Sequence, residues 1–274
     1  MIIVNYRPLS AETAGQMVTG GRHTLAILKA MAESRDSYDF PNIDLLAFTV
    51  SLRDHTVQAA YLMAEGRARF ATFYHSKCNE TYWRLTSEGG FDLRSDVSPS
   101  AAILDIFNNS GQYAFECATA MVIILLRAVH DTIGTERFDE LYRHLYLWDW
   151  NEEEHLPLVI EPIADVGVPG DVRYFKNPEV NPKTPWWQGE NAIELPGGRY
   201  FGHGIGIKTA NEMVADLNQN RRPGAEISAY LMKRATRLLY SNIYLLSRER
   251  VSGWTRPWRR DVSRFKRQSF IPSY

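Results

Sequence analysis

The residue best suited to nucleophilic chemistry is Cys117, which lies near the start of a long apolar stretch. Residues 110–134 predict a buried helix that opens with Ser110 and Gly111 and ends at Gly134. Free backbone N–H groups and the positive end of the helix dipole favour an anion at such a terminus, so we expect a lowered thiol pKa. An inert core cysteine fits the same position. The pattern therefore predicts either a reactive or a structural thiol at the tip of a buried helix.

A cysteine nucleophile needs a base within hydrogen-bond reach, and two carboxylates and one imidazole are candidates. Residues 190–195 and 199–207 flank Pro-Gly-Gly and predict a hairpin. With a two-residue turn, Glu190 faces His203, whereas a longer turn shifts this pair by about one position. Glu116 stands next to the cysteine. Each of the three also has an ordinary role: Glu190 and His203 as polar strand residues, and Glu116 as a carboxylate at a helix start.

Sites for metals and dinucleotides are not indicated. Gly202, Gly204 and Gly206 alternate without the spacing or the following helix of a dinucleotide-binding loop. No pair among the seven histidines has the spacing of zinc ligands near a Cys or Glu. We therefore expect neither a metal nor a cofactor.

The elements that must position these residues mix helices with strands, which predicts one α+β domain built on a central sheet. Helices are predicted at residues 24–33, 44–64, 99–107, 110–134, 136–145, 209–217 and 225–240, and strands at 1–4, 69–74, 81–85, 91–93, 190–195 and 199–207. The strands at 69–74 and 81–85 are expected to pair.

Residues 146–187 form an irregular stretch rich in Pro, Trp and Tyr, which is typical of a functional surface. Its aromatic residues include Trp148, Trp150, Trp186 and Trp187. Trp186 and Trp187 fit a place in the core and a place in a pocket wall equally well.

The length and the net charge of the chain limit the classes of partner that it is expected to bind. The chain has 274 residues and a formal net charge of −1, which gives no reason to expect a nucleic acid or an anionic membrane. Residues 248–274 hold eight Arg or Lys and two acidic residues, so they form a basic C-terminal extension to a catalytic domain at 1–247. This extension is either solvated or a tether to an acidic protein surface. Two cysteines and no signal-like N-terminus predict synthesis in the cytoplasm.

Several motifs make the chain similar to one family, the spore-coat protein-glutamine γ-glutamyltransferases of Bacillus-type spore formers. These are small calcium-independent transglutaminases. The motifs lie at residues 113–120 (YAFECATA), 131–134 (DTIG), 174–179 (YFKNPE), 187–191 (WQGEN) and 200–207 (YFGHGIGI), with further likeness at 1–4, 70–73, 81–84 and 228–231. The chain departs from the family in its basic tail and in an acidic loop at residues 151–154.

The resemblance implies a papain-like core with a mostly antiparallel sheet and the nucleophile, Cys117, at a helix N-terminus. Glu190 is then its principal acid/base partner, Glu116 a carboxylate that shares this role, and His203 a neighbour. Burial should raise the pKa of the glutamates, and backbone N–H groups at the helix start should hold the oxyanion.

The implied reaction proceeds through a thioester, without metal or cofactor, and cross-links glutamine and lysine side chains of spore coat proteins. Because water would hydrolyse an exposed thioester, the four tryptophans named above are expected to roof the site and to exclude water. Together with Phe70 they are the predicted substrate-binding residues. The implied protein is a monomer located in the spore coat. Two alternatives remain open: a papain-like cysteine hydrolase and a non-catalytic coat scaffold.

Overall fold

Residues 1–150, 155–164 and 166–248 are described by the structure, a computed structural model, and they fold into helices packed on a six-stranded sheet. The acidic loop at 151–154 and all of the basic extension except Arg248 lie outside these residues. The helices are α1 (Ala11–Met17), α2 (Thr24–Glu33), α3 (Ile43–Glu65), α4 (Pro99–Asn108), α5 (Cys117–Ile133), α6 (Thr135–Leu141), α7 (Ala210–Gln219) and α8 (Tyr240–Arg248).

Short polar side chains fix where several helices begin. The Ser98 side chain accepts a hydrogen bond from the backbone of Ala101 at the start of α4. Thr209 and Glu212 form the predicted capping box of α7. Gly134 follows α5 with a φ of 84°, a region that glycine enters without steric cost. These start and stop signals were readable from the sequence.

The strands form one large sheet and three small ones. They are β1 (Ile2–Val4), β2 (Arg7–Leu9), β3 (Tyr38–Phe40), β4 (Arg69–Phe70), β5 (Trp83–Leu85), β6 (Phe91–Leu93), β7 (Ala114–Phe115), β8 (Tyr146–Leu147), β9 (Leu158–Pro162), β10 (Val172–Lys176), β11 (Gly189–Leu195), β12 (Arg199–Gly202), β13 (Gly206–Thr209) and β14 (Tyr230–Leu238). The large sheet has the order β13-β12-β11-β10-β14-β9, and all of its pairs are antiparallel.

The central helix is shorter than predicted. Residues 110–112 form a 3-10 helix, and Ala114 and Phe115 pair with β4. The helix begins only at Cys117 because the side chain of Glu116 caps it. The predicted opening at Ser110 is therefore wrong, whereas the placement of the cysteine in the first turn is confirmed.

Four other predictions about the elements fail. Residues 225–240 hold the strand β14 rather than a helix, since β14 lies between β10 and β9 and tertiary pairing overrides local propensity. The stretch predicted to be irregular, residues 146–187, contains β8, β9 and β10. The strands predicted at 69–74 and 81–85 do not pair, because β4 joins β7 while β5 joins β6. The helix predicted to reach residue 145 ends at Leu141.

The core is divided by the large sheet. On one face α5 packs between α3 and the sheet, so nearly all of its side chains are buried. The opposite face is covered by α7 through a smaller cluster, called here the α7 cluster: Phe175, Ala192, Tyr200, Met213, Leu217 and Ala229. Within the described residues, no helix combines the length and the apolar character needed to cross a membrane.

A buried ion cluster ties α3 to the sheet. Asp171 is fully buried and accepts from Arg53 at 2.8 Å and from both Nε and Nη2 of Arg237 at 2.8 Å. These two guanidinium groups hold the pKa of Asp171 well below its ordinary value despite its burial. Paired and fully hydrogen-bonded, this carboxylate fixes the support on which α5 lies.

Candidate active site

Cys117 is the first residue of α5, and its side chain is 4% exposed. Its Sγ donates a hydrogen bond of 3.0 Å to Oε1 of Glu116, while Oε2 of the same carboxylate accepts from the backbone N–H of Ala118 at 2.7 Å. Glu116 therefore caps the helix and holds the thiol proton at the same time. The family resemblance implied that Glu116 shares the acid/base role with Glu190, and the sequence itself did not rank the two.

The thiol is protonated in this arrangement. Burial, followed by the charges of Glu116 and Glu190, raises the pKa of Cys117 well above its ordinary value. The expectation of a pKa lowered by the helix dipole is wrong, because two nearby carboxylates and desolvation outweigh the partial charge of a helix terminus. Activation must therefore come from proton transfer to a carboxylate.

Both glutamates meet the expectation of a raised pKa. Burial is the main cause for Glu190, followed by the charge of Glu116, whereas a backbone hydrogen bond from His203 opposes the shift. Burial is also the main cause for Glu116, and the charge of Asp149 adds to it. A raised carboxylate pKa makes each glutamate a stronger base for the thiol proton, which partly offsets the raised pKa of the thiol itself.

The hairpin follows the longer-turn alternative. Leu195 pairs with Arg199, so the turn has three residues and the register is shifted by one from a direct pairing of Glu190 with His203. β12 ends at Gly202, and a second turn leads to Gly206 in β13. The predicted single strand over residues 199–207 is therefore wrong, and His203 lies in a turn.

The imidazole of His203 packs on an aromatic ring and forms no hydrogen bond with the thiol. It is 3% exposed and stacks on Phe115 with ring centroids 4.6 Å apart. Burial lowers its pKa to about 4, so the ring is neutral near pH 7. Among the described residues, Nε2 has no hydrogen-bond partner. In this geometry His203 borders the site without joining the thiol and carboxylate pair.

Asn191 is a further side chain at the site that the sequence reading did not single out as functional. Its Nδ2 donates to Cys117 Sγ at 3.5 Å across 74 residues of sequence. Asn191 and Glu190 project from opposite faces of β11, as successive strand residues do. The only available signal was its place after Glu190 in the motif at residues 187–191.

The predicted substrate-binding residues lie in three places. Trp148 donates from Nε1 to the Glu88 carbonyl at 3.1 Å, and Trp150 packs at the edge of the main core. Trp186 is 40% exposed, whereas Trp187 packs against the α7 cluster. Phe70 lies against the backbone of the second turn, where a Cβ on Gly204 would come within 2.8 Å of it. The roof over the thiol stays a prediction.

Comparison with known proteins decides the family. The sequence profile of the family described as "Protein-glutamine gamma-glutamyltransferase" matches residues 1–247. The chain belongs to this family. The resemblance inferred from its motifs is confirmed.

Relatives of this transglutaminase match over most of their length. A protein-glutamine gamma-glutamyltransferase of Halalkalibacterium halodurans is 44% identical over 238 residues, which cover 87% of this chain and 82% of that protein. One from Bacillus mycoides is 43% identical over 212 residues, covering 77% and 76%. A solved transglutaminase from Geobacillus stearothermophilus, without its C-terminal extension, superposes with a TM-score of 0.73 at 45% identity and covers 77% of this chain and 100% of that one.

These matches confirm the α+β class and the papain-like arrangement, a cysteine at the tip of a buried helix packed on an antiparallel sheet. The roles assigned to individual side chains of this transglutaminase stay predictions. The division at residue 247 also stays a prediction, although α8 runs to Arg248 across that boundary.

One glycine of this transglutaminase makes room for a predicted catalytic carboxylate. A Cβ on Gly202 would lie 2.8 Å from Oε1 of Glu190 and 2.9 Å from its Cγ. We expect Gly202→Ala to displace Glu190 and to lower the rate of amine incorporation about tenfold, since small shifts of reacting groups have large effects. Gly15→Ala, whose Cβ would meet nothing closer than 3.7 Å, is the matched control. Equal activity of the two variants would contradict a role for the position of Glu190.

Proposed function

We propose that this chain transfers the γ-glutamyl group of a protein-bound glutamine to the ε-amine of a lysine, releasing ammonia and leaving an isopeptide cross-link. The observation that carries this proposal is the thiol of Cys117, which donates to Glu116 at 3.0 Å at the tip of a buried helix. Membership of the transglutaminase family supplies the reaction, and this geometry supplies the nucleophile and a base.

In the first half of the reaction, Glu116 takes the thiol proton as Sγ attacks the carbon of the glutamine side-chain amide. The C–N bond then breaks, the nitrogen leaves as ammonia with the proton returned by the carboxylic acid, and a thioester remains on Cys117. Glu190 lies close enough for its charge to act on both Cys117 and Glu116. It serves in the proposal as the second carboxylate, which holds or accepts a proton when Glu116 cannot.

The tetrahedral oxyanion needs a hydrogen-bond donor. The backbone N–H of Ala118 is already bound to Glu116 at 2.7 Å, which argues against the expectation that this helix-start N–H holds the oxyanion. The side-chain amide of Asn191 contacts Sγ directly. We assign it the role of stabilising negative charge on the sulfur and on the oxygen beside it.

Replacement of this amide tests the assignment. Asn191→Ala is expected to lower kcat about tenfold, because a hydrogen bond to a charged group contributes about 1.5 kcal/mol or more. The KM for the glutamine substrate should change little, since the bond matters most when charge develops. Steady-state kinetics of ammonia release measure both constants. Asn242→Ala, on an exposed position of α8, is the control, and an unchanged kcat in Asn191→Ala would rule out the role.

Calcium independence, a monomeric state and residence in the spore coat are part of the same proposal. Their support is the sequence similarity to small spore-coat members of the family, carried by the motifs around Cys117 and Glu190. In the described residues, no three His, Cys, Asp or Glu side chains are grouped so that they would hold a metal ion. The same similarity leads us to propose coat proteins that present Gln and Lys side chains as the substrates.

The decisive experiment is incorporation of a labelled primary amine into a glutamine-containing protein by the purified full chain, with and without a calcium chelator. Equal incorporation in both conditions supports the proposed activity and its independence from calcium. Release of ammonia without incorporation would identify a cysteine hydrolase instead. No turnover together with an unreactive thiol would identify a scaffold. Size-exclusion chromatography tests the monomer, and fractionation of sporulating cells tests the coat location.

A further inference from the structure

Three carboxylates lie near the start of α5, and they lack a matching positive charge. The charges of Glu116 and Glu190 both act on Cys117, and that of Asp149 acts on Glu116. Within residues 1–150, 155–164 and 166–248, none of the three carboxylates forms an ion pair with Arg, Lys or His. His203 is neutral near pH 7 because burial lowers its pKa to about 4. Burial raises the pKa of all three carboxyl groups, so a cation placed near them would favour their charged forms.

Asp149 is held beside the first turn of α5 by its own backbone. Its N–H donates to Oγ1 of Thr119, a buried residue of that turn, at 3.0 Å. Its φ of 49° lies in the left-handed region, which Asp and Asn tolerate better than most residues. Trp148 and Trp150 anchor the chain on either side through the contacts described above. The carboxylate is thus presented from a fixed and half-buried segment.

A second observation indicates that a hydrogen-bond donor belongs at the site. Glu190 is 5% exposed, yet its Oε1 has no hydrogen-bond partner in the described part of the chain. Leaving a buried acceptor unpaired costs about 1–3 kcal/mol. A donor that carries positive charge would satisfy this oxygen and offset the surplus of carboxylates. An ammonium group has three N–H donors and no acceptor.

We propose that Asp149 is a specificity-determining residue that attracts the ammonium group of the acceptor lysine to the thioester on Cys117. The inference rests on the proposed γ-glutamyl transfer and names the residue that favours lysine over water in its second half. Water is neutral and gains little from nearby carboxylates. A lysine ammonium gains attraction from each carboxylate, and this attraction is stronger where water is scarce.

The second half of the reaction transfers the acyl group from Cys117 to the lysine amine. The ammonium gives one proton to a carboxylate and becomes a neutral amine, whose nitrogen attacks the thioester carbonyl. The new C–N bond forms and the C–S bond breaks. The second proton leaves the nitrogen and returns to Sγ, which restores the thiol. The carboxylic acid then loses its proton to solvent. Asp149 takes part by attracting the cation before the proton transfer.

The test compares two nucleophiles in the full-length enzyme with a glutamine peptide as donor. Cadaverine is cationic at neutral pH, whereas hydroxylamine is uncharged there. Asp149→Asn keeps the size and the backbone preference of the side chain and removes its charge. We expect the KM for cadaverine to rise about tenfold, which corresponds to about 1.4 kcal/mol, and the KM for hydroxylamine to stay within a factor of about two. The ratio of cadaverine incorporation to glutamine deamidation should fall accordingly.

Two controls separate the outcomes. Glu33→Gln removes one negative charge from an exposed position on α2 and should leave both KM values unchanged. Asp149→Glu, which restores the charge, should recover part of the preference for cadaverine. Equal changes for both nucleophiles, or no change for cadaverine, would overturn the role of Asp149 while leaving the transfer activity in place. Failure of the unmodified enzyme to incorporate either nucleophile would overturn the proposed function itself, and this inference with it.

Discussion

Cys117→Ala is expected to lower amine incorporation by at least ~10³-fold, because the thioester on which the proposed transfer depends forms on this thiol. The same change removes the donor that Glu116 Oε1 holds at 3.0 Å. It leaves the helix cap intact, since the bond from Ala118 goes to the other oxygen. The variant should therefore fold and bind glutamine substrates while it fails to turn them over.

Cys78 provides the matched control for this experiment. It is the other cysteine of the chain, it is half-buried, and burial raises the pKa of its thiol to about 11. Cys78→Ala should retain activity and should still lose one thiol in a titration of the unfolded protein. Substantial incorporation by Cys117→Ala, measured with labelled cadaverine, would remove Cys117 from the mechanism.

Glu116→Gln is expected to have the second largest effect, a fall in kcat of ~10²-fold or more, in the range seen when a general base is lost. Glutamine keeps a carbonyl oxygen for the cap but accepts no proton from the thiol. Glu190→Gln should cost less, because its carboxylate acts on the thiol only through its charge and is not bonded to it. Parallel kinetics of the two variants give the ranking directly. A larger loss in Glu190→Gln would restore the order implied by the sequence resemblance.

The same carboxylates set the acid limb of the pH profile. Burial, then the charge of Asp149, raises the pKa of Glu116. The base form is therefore lost as the pH falls through a value above the ordinary ~4.3 of glutamate. We therefore expect kcat of the unmodified enzyme to fall with decreasing pH, with a midpoint above the ordinary glutamate pKa of ~4.3. In Asp149→Asn the limb should move to lower pH, because one source of the shift is gone.

The free energy of unfolding should depend on pH in the opposite direction from kcat. In the folded chain Glu116 and Glu190 keep protons that the unfolded chain releases, since their pKa values are raised by burial. Their contribution to stability is present below the unfolded value of ~4.3 and is lost as the pH rises through the folded values. The site is thus a local source of instability at neutral pH.

Sequence alone located the chemistry better than it located the sheet. The helix at residues 24–33 and the capping box at Thr209 and Glu212 were predictable because their signals are local. β14 was not, since its Leu, Met, Lys, Arg and Ala residues favour a helix and only its place between two strands makes it extended. Pairing across the sheet is a long-range effect that no short window contains.

In the site, too, local features were predictable and long-range contacts were not. Cys117 could be placed in a first turn from the apolar stretch behind it, whereas the hydrogen bond to Glu116 depends on where that turn begins. The register of the hairpin depends on a turn of three residues rather than two. Asn191 reaches the thiol only after β11 docks beside α5. These are consequences of three-dimensional packing, which periodicity does not encode.

The strand order also sets when activity can first arise during synthesis. β14 is the last strand of the described residues in chain order, yet it lies inside the sheet and pairs with both β10 and β9. A ribosome that has not passed Leu238 therefore holds a chain whose sheet has a gap, and whose β9 has no neighbour. Such long-range closure is slow compared with helix formation. We therefore expect the nascent enzyme to stay inert until β14 has emerged and closed the sheet.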